Sequence, residues 1–130
     1  MNAAQKNLLA LRRKAKATVR ITDTIEDIRV VINHSASVML VAEQHDRIVG
    51  SVIGTFDGWR GNIYRLAVAP DYRRQGLARK LVDEVDNRLI TMGAKRIMAL
   101  VEKDHPWAVG FWDPRGYQLD QAIVRYVQNL

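Results

Sequence analysis

Residues 63–82, Ile-Tyr-Arg-Leu-Ala-Val-Ala-Pro-Asp-Tyr-Arg-Arg-Gln-Gly-Leu-Ala-Arg-Lys-Leu-Val, leave the chain few ways to fold. Ile63 to Val68 is apolar enough for a buried strand, Pro70 and Asp71 end it, and an amphipathic helix is expected from Gly76. The intervening loop, Arg73 to Ala78, places small residues where backbone can approach a ligand. It runs into a helix N-terminus, whose unpaired N–H groups and positive dipole end suit a phosphate. Arg73, Arg74, Arg79 and Lys80 add positive charge.

On the helix after the loop, Leu77, Leu81, Val85 and Leu89 recur every fourth residue with Val82 beside them, so one stripe packs on a sheet. Gly93 is placed as its C-cap. Arg96 to Val101 reads as the next buried strand. Strand, helix and strand in this order imply parallel pairing through a right-handed crossover.

Upstream, Val38 to Ala42 and Ile48 to Phe56 read as a hairpin around the polar turn 43–47, and 57–62 as a turn into the central strand. Residues 3–16 carry helical spacing at Leu8, Leu11 and Ala15, and Asp23 or Thr24 could cap a helix reaching Ile32 with Ile25, Ile28, Val31 and Ile32 on its apolar face. Thr18 to Ile21 offers at most a makeshift first strand. Downstream, a short helix is expected around 107–113, stopped by Pro114, then antiparallel strands over 117–119 and 122–127.

The 130 residues make about one domain, able to bury a core without disulfide or metal. No cysteine is present, which excludes a disulfide framework and a cysteine acyl-enzyme and fits a cytoplasmic setting. No apolar run approaches a membrane span, so no membrane partner is expected. His34, His45 and His105 lack ligand spacing, so no metal is expected. The net charge of +6 raises nucleic acid as a partner, but no aromatic and basic platform for single strands is evident, and this reading ranks last.

The strand and loop resemble the signature of the GNAT superfamily of acyl-CoA-dependent N-acetyltransferases. Leu66-Ala-Val-Ala-Pro-Asp-Tyr72 followed by Arg73-x-x-Gly76-x-Ala78 matches its Leu-x-Val-x-Pro strand and Arg/Gln-x-x-Gly-x-Gly/Ala loop. The resemblance runs from about Thr22 onward. It implies an α/β fold, a mixed central sheet with helices on both faces, as one domain over 1–130, of small bacterial type with a shortened N-terminus and an atypical helix in 1–20.

It further implies acetyl-CoA as cosubstrate and a primary amine, small molecule or peptide, as acceptor, attacked directly in a ternary complex. Backbone of Leu66, Ala67 and Val68 would receive the pantetheine and acyl carbonyl. Backbone N–H groups of Arg74, Gln75, Gly76, Leu77, Ala78 and Arg79, with Arg73, would hold the pyrophosphate. Family members are often dimers, so a homodimer is a further expectation.

The family's Asn-x-x-Ala-x-x-(Phe/Leu)-Tyr-x-x-x-Gly-(Phe/Tyr) pattern is kept in frame but altered. His105 stands at the asparagine position and Trp112 at the tyrosine that serves as general acid. An indole N–H can donate to sulfur but does not ionise usefully. Usual glutamate positions carry Asn62 and Leu100, leaving Tyr64, Glu102, Asp104 and His105 as substitutes. Tyr64, His105 and Trp112 are therefore the catalytic candidates. Two-residue alternation puts Tyr64 on one face with Leu66 and Val68, where it is either catalytic or a packed aromatic. His105 either moves a proton or caps the short helix. Asp57 and Trp59 are candidates for the amine site, with Trp59 alternatively covering a sheet edge. The altered positions motivate a second reading, an acyl-CoA-binding module of this fold with weak or lost catalysis.

Overall fold

The computed structural model describes residues 25–103 and 108–130, divided after Leu100 into two compact units. Expectations for the helix over 3–16, the strand over 18–21, and Asp104 and His105 lie outside the described residues.

In the larger unit, helix α1 (Ile25–Asn33) precedes strands β1 (Ser37–Gln44), β2 (Arg47–Phe56) and β3 (Gly61–Val68). A 3-10 turn (Pro70–Tyr72), helix α2 (Leu77–Met92) and strand β4 (Ile97–Ala99) follow. The sheet order is β1-β2-β3-β4, with antiparallel pairing through β3 and parallel pairing of β3 with β4. It is the mixed α/β sheet that the strand, helix and strand pattern demanded.

Val82, Val85 and Leu89 of α2 are fully buried and Leu81 nearly so, so the four-residue recurrence is the packed face. Gly50, Gly54 and Gly61 form its floor. A Cβ there would stand 3.0 Å from Leu81 Cδ1, Val85 Cγ1 and Leu89 Cδ1 respectively. Gly93 closes α2 in the left-handed conformation, its N–H reaching the carbonyls of Ile90 and Leu89. Residues 48–54 of β2 are buried without alternation, so the sheet is covered on both faces there. On α1, Ile28 is buried, whereas Ile32 is half exposed and falls outside the expected apolar face.

The smaller unit holds helix α3 (Ala108–Trp112) and a 3-10 turn (Asp113–Arg115). Pro114 is accommodated within that turn, which Gly116 ends with φ 83°. The expected strands over 117–119 and 122–127 are not formed; residues 117–130 make no ladder. Their β-branched side chains carry the propensity for a strand, but a strand also requires a partner edge.

Candidate active site

The site is built from β3, the loop after it and the start of α2. Facing residues of β2 and β3 run Gly50↔Val68 and Ser51↔Ala67, then Ile53↔Tyr64. Val52 therefore opposes two residues, Arg65 and Leu66, in a β-bulge. Arg65 adopts φ 58°, a left-handed conformation uncommon for a non-glycine residue.

The bulge corrects the expected face of Tyr64. Gly50 and Ile53 are three residues apart and point to opposite faces, so their partners Val68 and Tyr64 do too. Val68 shares the face of α2 with Gly50, while Tyr64 and Ala67 lie on the other. Burial raises the Tyr64 phenol above its ordinary value of 10.0, with the Arg65 charge opposing, so the hydroxyl stays protonated at neutral pH.

The bulge also redirects backbone. The Ala69 N–H donates to Val49 O at 2.8 Å, so alternation turns Ala67 toward β2 and the N–H groups of Val68 and Leu66 away from it. On that outer side, pairing with β4 stops early. The register is Gly61↔Ile97, Asn62↔Met98 and Ile63↔Ala99, and Leu100 N–H donates to Ile63 O at 2.9 Å. Five more residues of β3, 64–68, continue without a ladder to β4. The outward backbone of Leu66 and Val68 therefore pairs with no strand among the described residues.

This stretch of β3 runs through the 3-10 turn into the loop. Arg73 N–H bonds Pro70 O at 3.3 Å, and Gln75 Nε2 donates to Asp71 O at 3.4 Å, tying the loop to its own turn. Arg74 and Gly76 both adopt left-handed backbone, at φ 63° and 79°, the kind of turn that points successive N–H groups one way. Gly76 is the N-cap of α2, and the first helical bond runs from Lys80 N–H to Gly76 O at 3.1 Å. The N–H groups of Leu77, Ala78 and Arg79 precede it and have no helical acceptor.

No side chain caps this end, and its first turn holds no acidic residue. A Cβ on Gly76 would meet nothing within 4 Å, so the space above the loop is open. Arg79 lies 4.0 Å from Asp83 across an exposed pair, a weak contact that leaves its charge at the helix end. Open space, convergent donors and positive charge fit an anionic group such as a diphosphate.

Asp57 and Trp59 are not brought to this loop. They lie in the β2–β3 turn at the start of β3, and the loop follows its end, roughly 25 Å along an eight-residue strand. The Asp57 carboxylate accepts the N–H groups of Trp59 and Arg60 at 2.8 and 2.7 Å, bonds that lower its pKa below 3.8. The Arg60 guanidinium sits 3.9 Å over the Trp59 ring. Asp57 thus shapes the turn, and Trp59 stands on it more than half exposed.

In the smaller unit Trp112 is buried, stacked on Phe111 at 5.1 Å and edge-on to Tyr117 at 5.0 Å. Its ring packs that unit. Among the described residues no group of histidine, cysteine or carboxylate side chains is arranged for a metal, and no helix is long and apolar enough to cross a membrane. Residue-by-residue reading missed the bulge at Arg65 and Leu66 and the glycine floor. Three glycines spaced over two adjoining strands were a sequence signal for the floor, and nothing in the sequence signalled the bulge.

Comparison with known proteins agrees with this fold. The model of the acetyltransferase (GNAT) family matches residues 8–117. An acetyltransferase of Yersinia pestis is 37% identical over 98 residues, 75% of this chain and 70% of that protein. Among solved structures, an aminoglycoside N-acetyltransferase in complex with CoA superposes with a TM-score of 0.79 at 13% identity, covering 100% of this chain and 92% of the other. An aminoglycoside acetyltransferase from an uncultured soil metagenomic sample, in complex with sisomicin, gives 0.77 at 19%, covering 96% and 87%. The bulged central strand, the parting of β3 from β4 and the uncapped helix thus occur in a chain that belongs to the GNAT family of acetyltransferases.

Proposed function

We propose that this chain transfers an acetyl group from acetyl-CoA to a primary amine, the amine attacking directly while both substrates are bound. The observation that carries the reading is that the β3 backbone at Leu66 and Val68, left without a β4 ladder, runs on into the loop whose donors gather at the uncapped start of α2. A long cofactor with an anionic head and an acyl tail matches that shape. The CoA complex of a structural neighbour and the amine ligand of another support the two substrate classes, without extending to which amine is used.

When bound, acetyl-CoA supplies an acetyl thioester. The N–H groups of Arg74, Gln75, Gly76, Leu77, Ala78 and Arg79 hold its diphosphate, and Arg73, Arg79 and Lys80 add charge. The outward N–H groups of Leu66 and Val68 orient the pantetheine and polarise the acyl carbonyl, as preorganised donors do. Ala67 contributes its small side chain, because its backbone turns to β2. Tyr64, protonated at neutral pH, is suited to give a proton to the departing thiolate and unsuited to accept one from an ammonium. Deprotonation of the amine falls to His105 or to water.

A second reading, an acyl-CoA-binding module with weak or lost catalysis, is favoured by Trp112, whose buried indole replaces an ionisable acid. Thiol release from acetyl-CoA separates the two. The chain has no cysteine of its own to react with a thiol reagent. Amine-dependent release across a panel of primary amines is expected; binding of acetyl-CoA without release for any amine would leave the second reading.

A further inference from the structure

The turn that carries Asp57 and Trp59 lies away from the loop before α2, and it is tied to a second loop instead. The Trp59 carbonyl accepts the Lys95 N–H at 3.0 Å, and the Gly61 N–H donates to Arg96 O at 2.9 Å. These two bonds join the β2–β3 turn to the connection between α2 and β4. They bring Trp59, Arg60, Lys95 and Arg96 to one end of the sheet, although β3 and α2 separate the first pair from the second along the chain. The sequence shows no such platform, because its members meet only when the sheet has formed.

Each member is placed to meet a ligand. Trp59 is 59% exposed while the Arg60 guanidinium lies 3.9 Å over its ring, so the face away from Arg60 is open. A cation held over a ring uses none of its N–H donors in that contact. Lys95 and Arg96 are exposed, and residues 91–96 contain no acidic side chain. Asp57 is the acidic residue of the turn, and its Oδ1 is already held by the N–H groups of Trp59 and Arg60. Positive charge therefore dominates around an exposed indole.

This combination narrows the ligand. An open aromatic face takes a flat ring, and the flanking cations take anions. Nucleotides carry both. The four residues lie on the surface, where one nucleotide would bury little, whereas a strand that repeats base and phosphate makes several contacts at once.

We propose that Trp59, Arg60 and Lys95, with Arg96 adding charge, form a binding surface for single-stranded nucleic acid, a base stacking on the indole while its phosphates meet the cations. The surface lies at the opposite end of β3 from the loop before α2, so the inference stands apart from the acetyl-CoA reading and is tested without it.

The test is fluorescence anisotropy of a labelled deoxythymidine 12-mer titrated with the full chain. The expected Kd at low salt lies between about 10⁻⁶ and 10⁻⁴ M, and two or three phosphate contacts give a slope of log K against log salt of about −1.4 to −2.1. Trp59→Ala should weaken binding at least about fivefold, and Trp59→Phe should recover part of the loss. An abasic strand of the same length has the charge without the rings. It should bind at least about fivefold more weakly, and Trp59→Ala should not weaken it further. Lys95→Ala should flatten the salt slope by about 0.7, whereas Arg47→Ala, an exposed cation at the far end of β2, should leave it unchanged. If Trp59→Ala loses its helical circular dichroism, the abasic strand and Lys95→Ala decide. No binding by the parent chain, undiminished binding by folded Trp59→Ala, equal binding of the abasic strand, or a slope unmoved by Lys95→Ala overturns the proposal.

Discussion

Gly54→Ala tests whether α2 is held at a fixed height above the sheet, the height that sets its N-terminus beside the end of β3. The added Cβ would lie 3.0 Å from Val85 Cγ1 and 3.5 Å from Leu89 Cδ1. Both residues are fully buried, so neither can swing into solvent. Overpacking of this kind costs about 1–3 kcal/mol. Replacing a strand glycine returns about 0.5–1 kcal/mol through lower entropy of the unfolded chain. The net expectation is a loss of up to about 2.5 kcal/mol, centred near about 1 kcal/mol. Gly50→Ala is the internal control, because its new contacts are the far ends of Leu81 and Leu77, and Leu77 is only half-buried. It should lose less. Urea denaturation followed by circular dichroism should give a lower midpoint with unchanged slope for Gly54→Ala. An unchanged or raised midpoint, or a larger loss for Gly50→Ala, would refute the packing argument.

Three further outcomes follow from named groups. The Asp57 pKa is lowered by the N–H groups of Arg60 and Trp59, so the carboxylate's contribution is present above pH 3.8 and lost as pH falls through its folded value. Asp57→Asn should therefore flatten the acid limb of a stability profile, and an identical limb would contradict the assignment. Burial raises the Tyr64 pKa, so its contribution is present below pH 10.0 and lost as pH rises through the folded value. Tyr64→Phe should remove that alkaline loss and, with Tyr64 as proton donor, lower kcat by about 10²-fold; an unchanged kcat would assign the proton elsewhere. Trp112→Tyr should leave turnover unchanged or reduced in a working enzyme, because the ring packs Phe111 and Tyr117. A large gain in turnover would instead mark a decayed acid position.

The parts of the fold that were legible are those with local periodic signals. The stripe Leu81, Val85 and Leu89 appeared as a four-residue recurrence, and Gly93 as a C-cap, because a single helix face and a single left-handed residue suffice to specify them. The bulge was not legible, since an extra residue in one strand leaves composition intact and here its left-handed position is an arginine. That one residue reversed the face of Tyr64. The distance of Asp57 and Trp59 from the loop was available in strand direction alone, because a turn entering β3 and a loop leaving it must lie at opposite ends. Residues 122–127 have strand composition, yet composition does not supply a partner edge, and they form no ladder.

The most direct test of the account is calorimetric titration of acetyl-CoA into the parent chain and into Gly76→Asp. Aspartate tolerates left-handed backbone better than most residues, so the variant keeps the N-cap while placing a carboxylate in the open space above it. At roughly 6 Å from a phosphate charge, with an effective dielectric constant between about 20 and 80, the repulsion is about 0.7–3 kcal/mol. The account predicts micromolar binding by the parent chain and an affinity weakened at least about threefold in the variant. No binding by the parent chain, or equal binding by a folded variant, would contradict the claim that the loop before α2 is the cofactor cradle.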